Sequence, residues 1–274
     1  MKDIKLKVGE LLSEIKNKKP LIHNITNYVT VNDCANAVLG IGASPIMADD
    51  IAEAADITAI SSALVINIGT LNYRTVEAML ASAKKANEIG VPVVFDPVGA
   101  GASLLRNETT QKILSKVKIS VLRGNMSEIA FVAGLNATTK GVDASDKDIN
   151  SNDGVDMAIS VAKKLRCVVA ITGVIDIISD GQHVVKISNG HKMLSNVTGT
   201  GCMTTALVGS FCGATTEDYF SAAIGGVVSM GIAGEIAFEK AGGNGTGSFH
   251  IAIIDAISQL NNNIIVERAK INEV

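Results

Sequence analysis

The sequence has no tryptophan, and aromatic residues as a whole make up only 3% of its 274 positions. Single-stranded nucleic acids are held by stacking bases on aromatic rings along a basic groove. The basic groove is missing too, because 24 Lys and Arg stand against 27 Asp and Glu and the net charge is -3. No nucleic-acid partner is expected. Cysteine is scarce: Cys34, Cys167, Cys202 and Cys212 make no C-x-x-C pair, and His23, His183, His191 and His250 make no H-x-x-x-H pattern. Neither a disulfide framework nor a structural zinc site follows from such spacing. Isolated cysteines suit a reducing cytoplasm. Residues 1–20 alternate charges and lack the apolar centre of a signal peptide. The longest uncharged stretch, residues 193–216, is long enough to span a bilayer. It is dense in Ser, Thr, Asn and Gly, which enter lipid poorly, so no membrane association is expected.

What the chain does have is hydrophobic residues, 47% of the total, enough for one large core. Linker-like composition and internal repeats are both missing. Short β-branched runs recur instead, each followed by a longer amphipathic stretch. Residues 64–68 read as a buried strand, and Val76, Met79, Leu80 and Ala83 then recur at helical spacing. Residues 91–95, 118–122 and 167–171 read as further strands, the last after a helical stretch over 154–166. This alternation predicts a mostly parallel sheet with helices on both faces. Asp180-Gly181, between β-rich runs at 174–179 and 182–187, predicts a hairpin. Gly225, Gly226, Gly231 and Gly234 within a helical stretch over 222–238 predict close helix packing. A single α/β domain over residues 1–274 accounts for the whole pattern.

In open parallel sheets, ligands bind beyond the carboxyl ends of the strands, often at helix N-termini. Three segments qualify. Asp96 opens Asp-Pro-Val-Gly-Ala-Gly-Ala after a strand; it suits a cation held beside a phosphate, or a capping residue in an ordinary loop. In Arg-Gly-Asn-Met-Ser-Glu at 123–128, Asn125 and Glu128 have capping-box spacing. Arg123 offers its fork to phosphate oxygens, although a lone Arg there reads first as a solvated surface charge. The sharpest segment is residues 196–205. Gly199 and Gly201 free the backbone to approach a ligand, and the helix that follows aims its first amides at an anion. Neither the P-loop nor the dinucleotide fingerprint is present; the plain alternative is a flexible turn.

Cys202 closes that nest. A free thiol of pKa about 8.5 is roughly 3% thiolate at neutral pH, and a helix N-terminus predicts a larger share. The residue suits a nucleophile, a base or an inert apolar filler. The other cysteines read as core, His23 as a hydrogen-bonded structural histidine, and Met47 as core unless it lines a pocket. Residues 242–248 are glycine-rich without a Lys and read as a turn opening the final helix, on which Phe249, Ile253, Ala256 and Leu260 form the apolar face.

Six segments in order, 20–30, 42–50, 67–72, 96–102, 123–128 and 197–202, resemble the hydroxyethylthiazole kinases, thiamine-salvage members of the ribokinase-like fold. The resemblance implies a three-layer α/β sandwich and transfer of the γ-phosphoryl of ATP, with Mg²⁺, to the primary alcohol of 4-methyl-5-(2-hydroxyethyl)thiazole. It further implies a homotrimer with sites at subunit interfaces. Asn27, Met47 and Gly199 match substrate-contacting positions, Arg123 and Thr172 match ATP contacts, and Asp96 and Glu128 match positions near the metal. Phosphoryl transfer needs positioning and charge neutralisation more than covalent help, and these residue types supply both. Glu128 is able to cap its helix and hold one of the cation's waters together. The sulfur of Met47 suits a flat, neutral thiazole.

Two departures matter. Sugar kinases of this fold carry Asp where the thiazole kinases and this chain carry Cys202. The expectation is that Cys202 positions the hydroxyl and assists deprotonation weakly, since the proton leaves late in a loose transition state. The family's Gly-Pro-Gly-Ser-Phe is Gly-Thr-Gly-Ser-Phe at 245–249 here, which frees one φ angle. The competing readings are a kinase for another vitamin-precursor alcohol such as a hydroxymethylpyrimidine, a non-catalytic binding protein, and a thiol enzyme with His23 as its base.

Overall fold

A nine-stranded sheet organises the chain, and the computed structural model describes residues 2–135 and 151–274 of it. The strands are β1 (Leu21–Ile25), β2 (Ser44–Ile46), β3 (Ala63–Asn67), β4 (Val93–Asp96) and β5 (Val121–Asn125), then β6 (Val168–Thr172), β7 (Asp176–Ser179), β8 (Val184–Ile187) and β9 (Ile271–Glu273). Their order is β2-β1-β3-β4-β5-β6-β7-β8-β9. β2 to β6 pair in parallel, and β6 to β9 pair antiparallel. The hairpin expected at Asp180-Gly181 is the β7–β8 pair.

Strand side chains alternate between two cores. Ile22, Val65, Val94 and Val121 face one, beneath α1 (Lys2–Lys18), α2 (Val31–Ile41), α8 (Thr200–Ala214), α9 (Tyr219–Ala241), α10 (Thr246–Gln259) and α11 (Asn262–Arg268). Ile25, Leu64, Ile66 and Phe95 face the other, beneath α3 (Ala54–Ala59), α4 (Tyr73–Ile89), α5 (Leu104–Lys116), α6 (Met126–Ala133) and α7 (Ser151–Leu165). The three-layer sandwich follows, because central strands apolar on both faces must be covered on both.

The helices start where their sequences direct. Asn72 and Thr75 form a capping box on α4, as do Asn125 and Glu128 on α6, and Ser103 caps α5. The glycines of α9 do pack closely: a Cβ on Gly225 would lie 2.5 Å from the Phe211 ring, and one on Gly226 would lie 2.5 Å from Val208. With its short 3₁₀ extension, α9 is long and apolar enough to cross a bilayer by length and composition, yet most of it is buried in this core. The uncharged stretch 193–216 is divided between a 3₁₀ turn (Lys192–Asn196) and α8.

The glycine-rich segment at 242–248 ends in Gly245, at φ +101° and ψ 171°, with Thr246 as the first residue of α10. Proline suits that position, where the N–H has no partner within the helix, and ψ near 170° tolerates a following proline. Thr246→Pro should therefore stabilise the fold by about 0.4–1 kcal/mol, raising Tm by about 1–4 °C in calorimetry.

Candidate active site

The carboxyl ends of the parallel strands set the site. Asn67 and Asp96 are the final residues of β3 and β4 and face each other in register. Asn125 and Thr172 end β5 and β6 in the same way. Arg123 lies inside β5 rather than at its end, because the strand begins and finishes three residues later than the apolar run at 118–122 suggests.

Asp96 is fully buried, and it does not cap a helix. Its Oδ2 accepts from Thr205 Oγ1 at 2.6 Å, from Asn67 Nδ2 at 3.0 Å and from Arg123 Nη1 at 3.4 Å. Its Oδ1 is buried with no partner among the described residues. Burial raises the Asp96 pKa despite the opposing pull of Arg123. Glu128 is also buried; Gly99 N donates to its Oε1 and Asn125 N to its Oε2, each at 2.8 Å. Burial first, and the Asp96 charge second, push Glu128 up to about 7. Two carboxyl groups that each resist ionisation, one with a spare buried oxygen, form a setting that a hard divalent cation relieves. No cluster of three His, Cys, Asp or Glu side chains occurs among the described residues, so a cation here needs ligands from substrate or water.

Arg123 is not the solvated charge that a lone Arg suggests. Its side chain is 12% exposed, and its Nη2 donates to Thr172 Oγ1 at 2.5 Å. The guanidinium lies under the first turn of α8, where a Cβ on Gly201 would sit 2.9 Å from Nη1. The expected nest is thus a helix N-terminus with a cation beside it. Gly199 caps α8 at φ +89°, and a Cβ there would come within 2.6 Å of Thr30 Cγ2. The approach to the nest is not a strand end, however, but the 3₁₀ turn before α8.

Cys202, in that first turn, is partly exposed and its Sγ accepts from Asn27 Nδ2 at 3.2 Å and Asn67 Nδ2 at 3.3 Å. Burial, then the nearby Asp96 charge, raise its pKa. This corrects the expectation of an enlarged thiolate share: desolvation and the nearby carboxylate shift the thiol the other way. Asn27 also donates to Asn67 Oδ1 at 3.0 Å, so Asn27, Asn67, Asp96 and Cys202 form one connected cluster. Met47 is half-buried and packs on the same core as Cys202. His23 stands apart. Its Nδ1 and Nε2 are engaged by Thr58 Oγ1 at 2.8 Å and Ala48 O at 2.7 Å, and burial lowers its pKa. It offers Cys202 no base. A cavity of about 450 Å³ opens at the opposite ends of the strands, near Lys118, Arg166 and Asp180, and holds none of these residues.

Asn67 and Thr205 were not singled out by sequence. The signal for Asn67 was present, as the one polar residue within the buried run 64–68. Thr205 lies in an apolar helix where Thr204 and Ser210 bond the preceding turn just as Thr205 does, so no pattern marks it.

The model of the hydroxyethylthiazole kinase family matches residues 12–263. The chain belongs to that family. A hydroxyethylthiazole kinase of Ruminiclostridium cellulolyticum is 70% identical over 274 residues, covering 100% of both chains. The solved structure of the hydroxyethylthiazole kinase protein from Pyrococcus horikoshii is similar over 98% of this chain and 99% of that one, with a TM-score of 0.88 and 38% identity. A Bacillus subtilis pyridoxal kinase, solved as an ADP complex, shares the fold alone, at 17% identity and a TM-score of 0.57 over 78% of this chain and 90% of that one. The ribokinase-like sandwich expected from the sequence is the fold of these relatives. As a member of a kinase family the chain is a phosphotransferase, with ATP as its co-substrate.

Proposed function

We propose that this hydroxyethylthiazole kinase family member phosphorylates the primary alcohol of 4-methyl-5-(2-hydroxyethyl)thiazole, yielding the phosphate used in thiamine salvage. The observation that carries this reading at the level of chemistry is the Asp96 carboxylate. One of its oxygens is bonded three times and the other is buried with no partner among the described residues, beside Arg123 and under the glycine nest. Such an arrangement serves the transfer of a highly charged group by fixed charges and dipoles. Mg²⁺ fits at Asp96 with Glu128, where it would neutralise phosphate charge. Arg123 and Thr172 would hold ATP, and the amides of residues 199–202 would receive charge developing on the transferred group. Asn27, Met47 and Gly199 would line the thiazole pocket, with the alcohol against Cys202.

Burial and the Asp96 charge raise the pKa of the thiol, which supports a positioning role. Cys202→Ala should lower kcat by about 10–100-fold with the KM for ATP unchanged, less than loss of a strong general base brings. A loss of four orders of magnitude in folded protein would refute the weak role. Large apolar side chains are exposed next in sequence to Asn27 and at the start of α4: Tyr28 at 79% and Tyr73 at 82%. They support a homotrimer whose sites lie at subunit interfaces. Four free thiols suit a cytoplasmic enzyme.

The test is Mg²⁺-dependent ADP release from purified protein, with the thiazole run beside hydroxymethylpyrimidine, pyridoxal and ribose. Strong preference for the thiazole is expected. Turnover of another alcohol would keep the phosphate chemistry and discard the substrate, and silence with all four would leave a binding protein.

A further inference from the structure

We infer that Arg106 is a positioning residue for phosphoryl transfer, holding the ends of β3 and β4 at the spacing that places the Asn67 amide between Cys202 and Asp96. The inference rests on the reaction proposed above. Arg106 lies in the first turn of α5, and a long side chain there leans back toward the helix N-terminus, here toward the strand ends. Its Nη1 donates to Ile68 O at 2.7 Å and Val98 O at 2.5 Å, and its Nη2 donates to Gly69 O at 2.7 Å. Ile68 and Gly69 follow Asn67 directly, and Val98 lies two residues past Asp96.

The Asn67–Asp96 pair is the last rung of the β3–β4 ladder. Past it, Ile68 N bonds Asp96 O at 3.2 Å, and the guanidinium then spans both departing loops. What it holds has consequences on each side. Gly69 N donates to Asn67 Oδ1 at 2.9 Å, which leaves the Asn67 amide free to face Cys202 and Asp96. Gly99, in the other loop, donates to Glu128. The packing is built for this side chain: a Cβ on Gly99 would lie 3.1 Å from Arg106 Cδ and 3.2 Å from its Nε. A lysine cannot substitute, because one ammonium nitrogen cannot reach carbonyls on two loops in the planar geometry of a guanidinium.

The experiment compares Arg106→Lys and Arg106→Ala with Ser103→Ala, which removes the α5 cap and leaves the three carbonyl contacts in place. Full-length proteins are assayed for kcat, both KM values, Tm and the pH profile of Cys202 alkylation by iodoacetamide, the other cysteines being buried. Arg106→Lys should lose at least 30-fold in kcat with KM values within threefold. Its alkylation rate should change by at least threefold, and millimolar guanidinium should restore Arg106→Ala at least tenfold. Ser103→Ala should keep kcat and alkylation within threefold despite a lowered Tm. If Arg106→Lys keeps its kcat, or loses activity only with Tm while alkylation is unchanged and guanidinium does nothing, the positioning role is wrong. Should the wild type fail to phosphorylate the thiazole, the proposed reaction falls, and the alkylation profiles alone then decide for or against Arg106.

Discussion

Asp96→Asn should reduce kcat by at least three orders of magnitude without lowering Tm. The first half follows from position. Oδ2 holds Thr205, Asn67 and Arg123 in place, and Oδ1, buried and without a partner among the described residues, is suited to a hard cation. An amide keeps the shape but offers one oxygen fewer and no charge. At 1.36 kcal/mol per tenfold, a thousandfold loss corresponds to about 4 kcal/mol of transition-state stabilisation, comparable with one strong preorganised electrostatic contact.

The second half follows from the pKa direction. The folded-state pKa is raised above the ordinary value, so at neutral pH the ionised carboxylate costs stability relative to the unfolded chain. A neutral isostere removes that cost, and it also removes the charge that helps to raise Glu128. Arg123 loses one partner but keeps Thr172. Steady-state kinetics and calorimetry on one preparation check both halves; a fall in Tm of several degrees would mean that the Arg123 pair dominates instead.

Gly201→Ala should separate activity from stability in a second way. The added Cβ would lie 2.9 Å from Arg123 Nη1 and 3.1 Å from Nη2. These atoms end a flexible side chain, so the fold yields while the guanidinium moves away from the nest. Alanine is also the better helix former by about 1 kcal/mol, which works against any loss of Tm. A kcat lowered about 100-fold and a KM for ATP raised at least tenfold, with Tm level or higher, are expected. Unchanged kinetics would remove Arg123 from the phosphate site.

The sequence made the middle of the sheet readable and its edges obscure. β3, β4 and β6 are apolar runs; the helical spacing at 76–83 lies inside α4, and the stretch 154–166 covers all but the first turn of α7. β1 escaped because His23 and Asn24 interrupt five residues, and β2 and β9 are three residues each. The apolar run at 118–122 predicts β5 three residues early, because the strand closes on Arg-Gly-Asn. Local rules fail where a strand carries chemistry, and the polar end of β5 is part of the candidate site. The nest at 199–202 was legible because glycine spacing before a helix is a local signal. Roles for Asn67, Thr205 and Arg106 depend on partners far away in the chain, which no local pattern reports.

Distance along the chain has a kinetic consequence. The hydrogen bonds joining Asn27 to Asn67, Asn67 to Asp96, and Asn27 to Cys202 close separations of 40, 29 and 175 residues. Helices and neighbouring strand–helix units form early, while contacts of long separation wait for the entropy of loop closure to be overcome. The expected result in stopped-flow refolding is that the far-ultraviolet signal returns before turnover, since Cys202 meets Asn27 and Asn67 only once α8 is in place. Recovery of activity then waits for closure of the longest loop among these bonds and for assembly of the proposed interface sites.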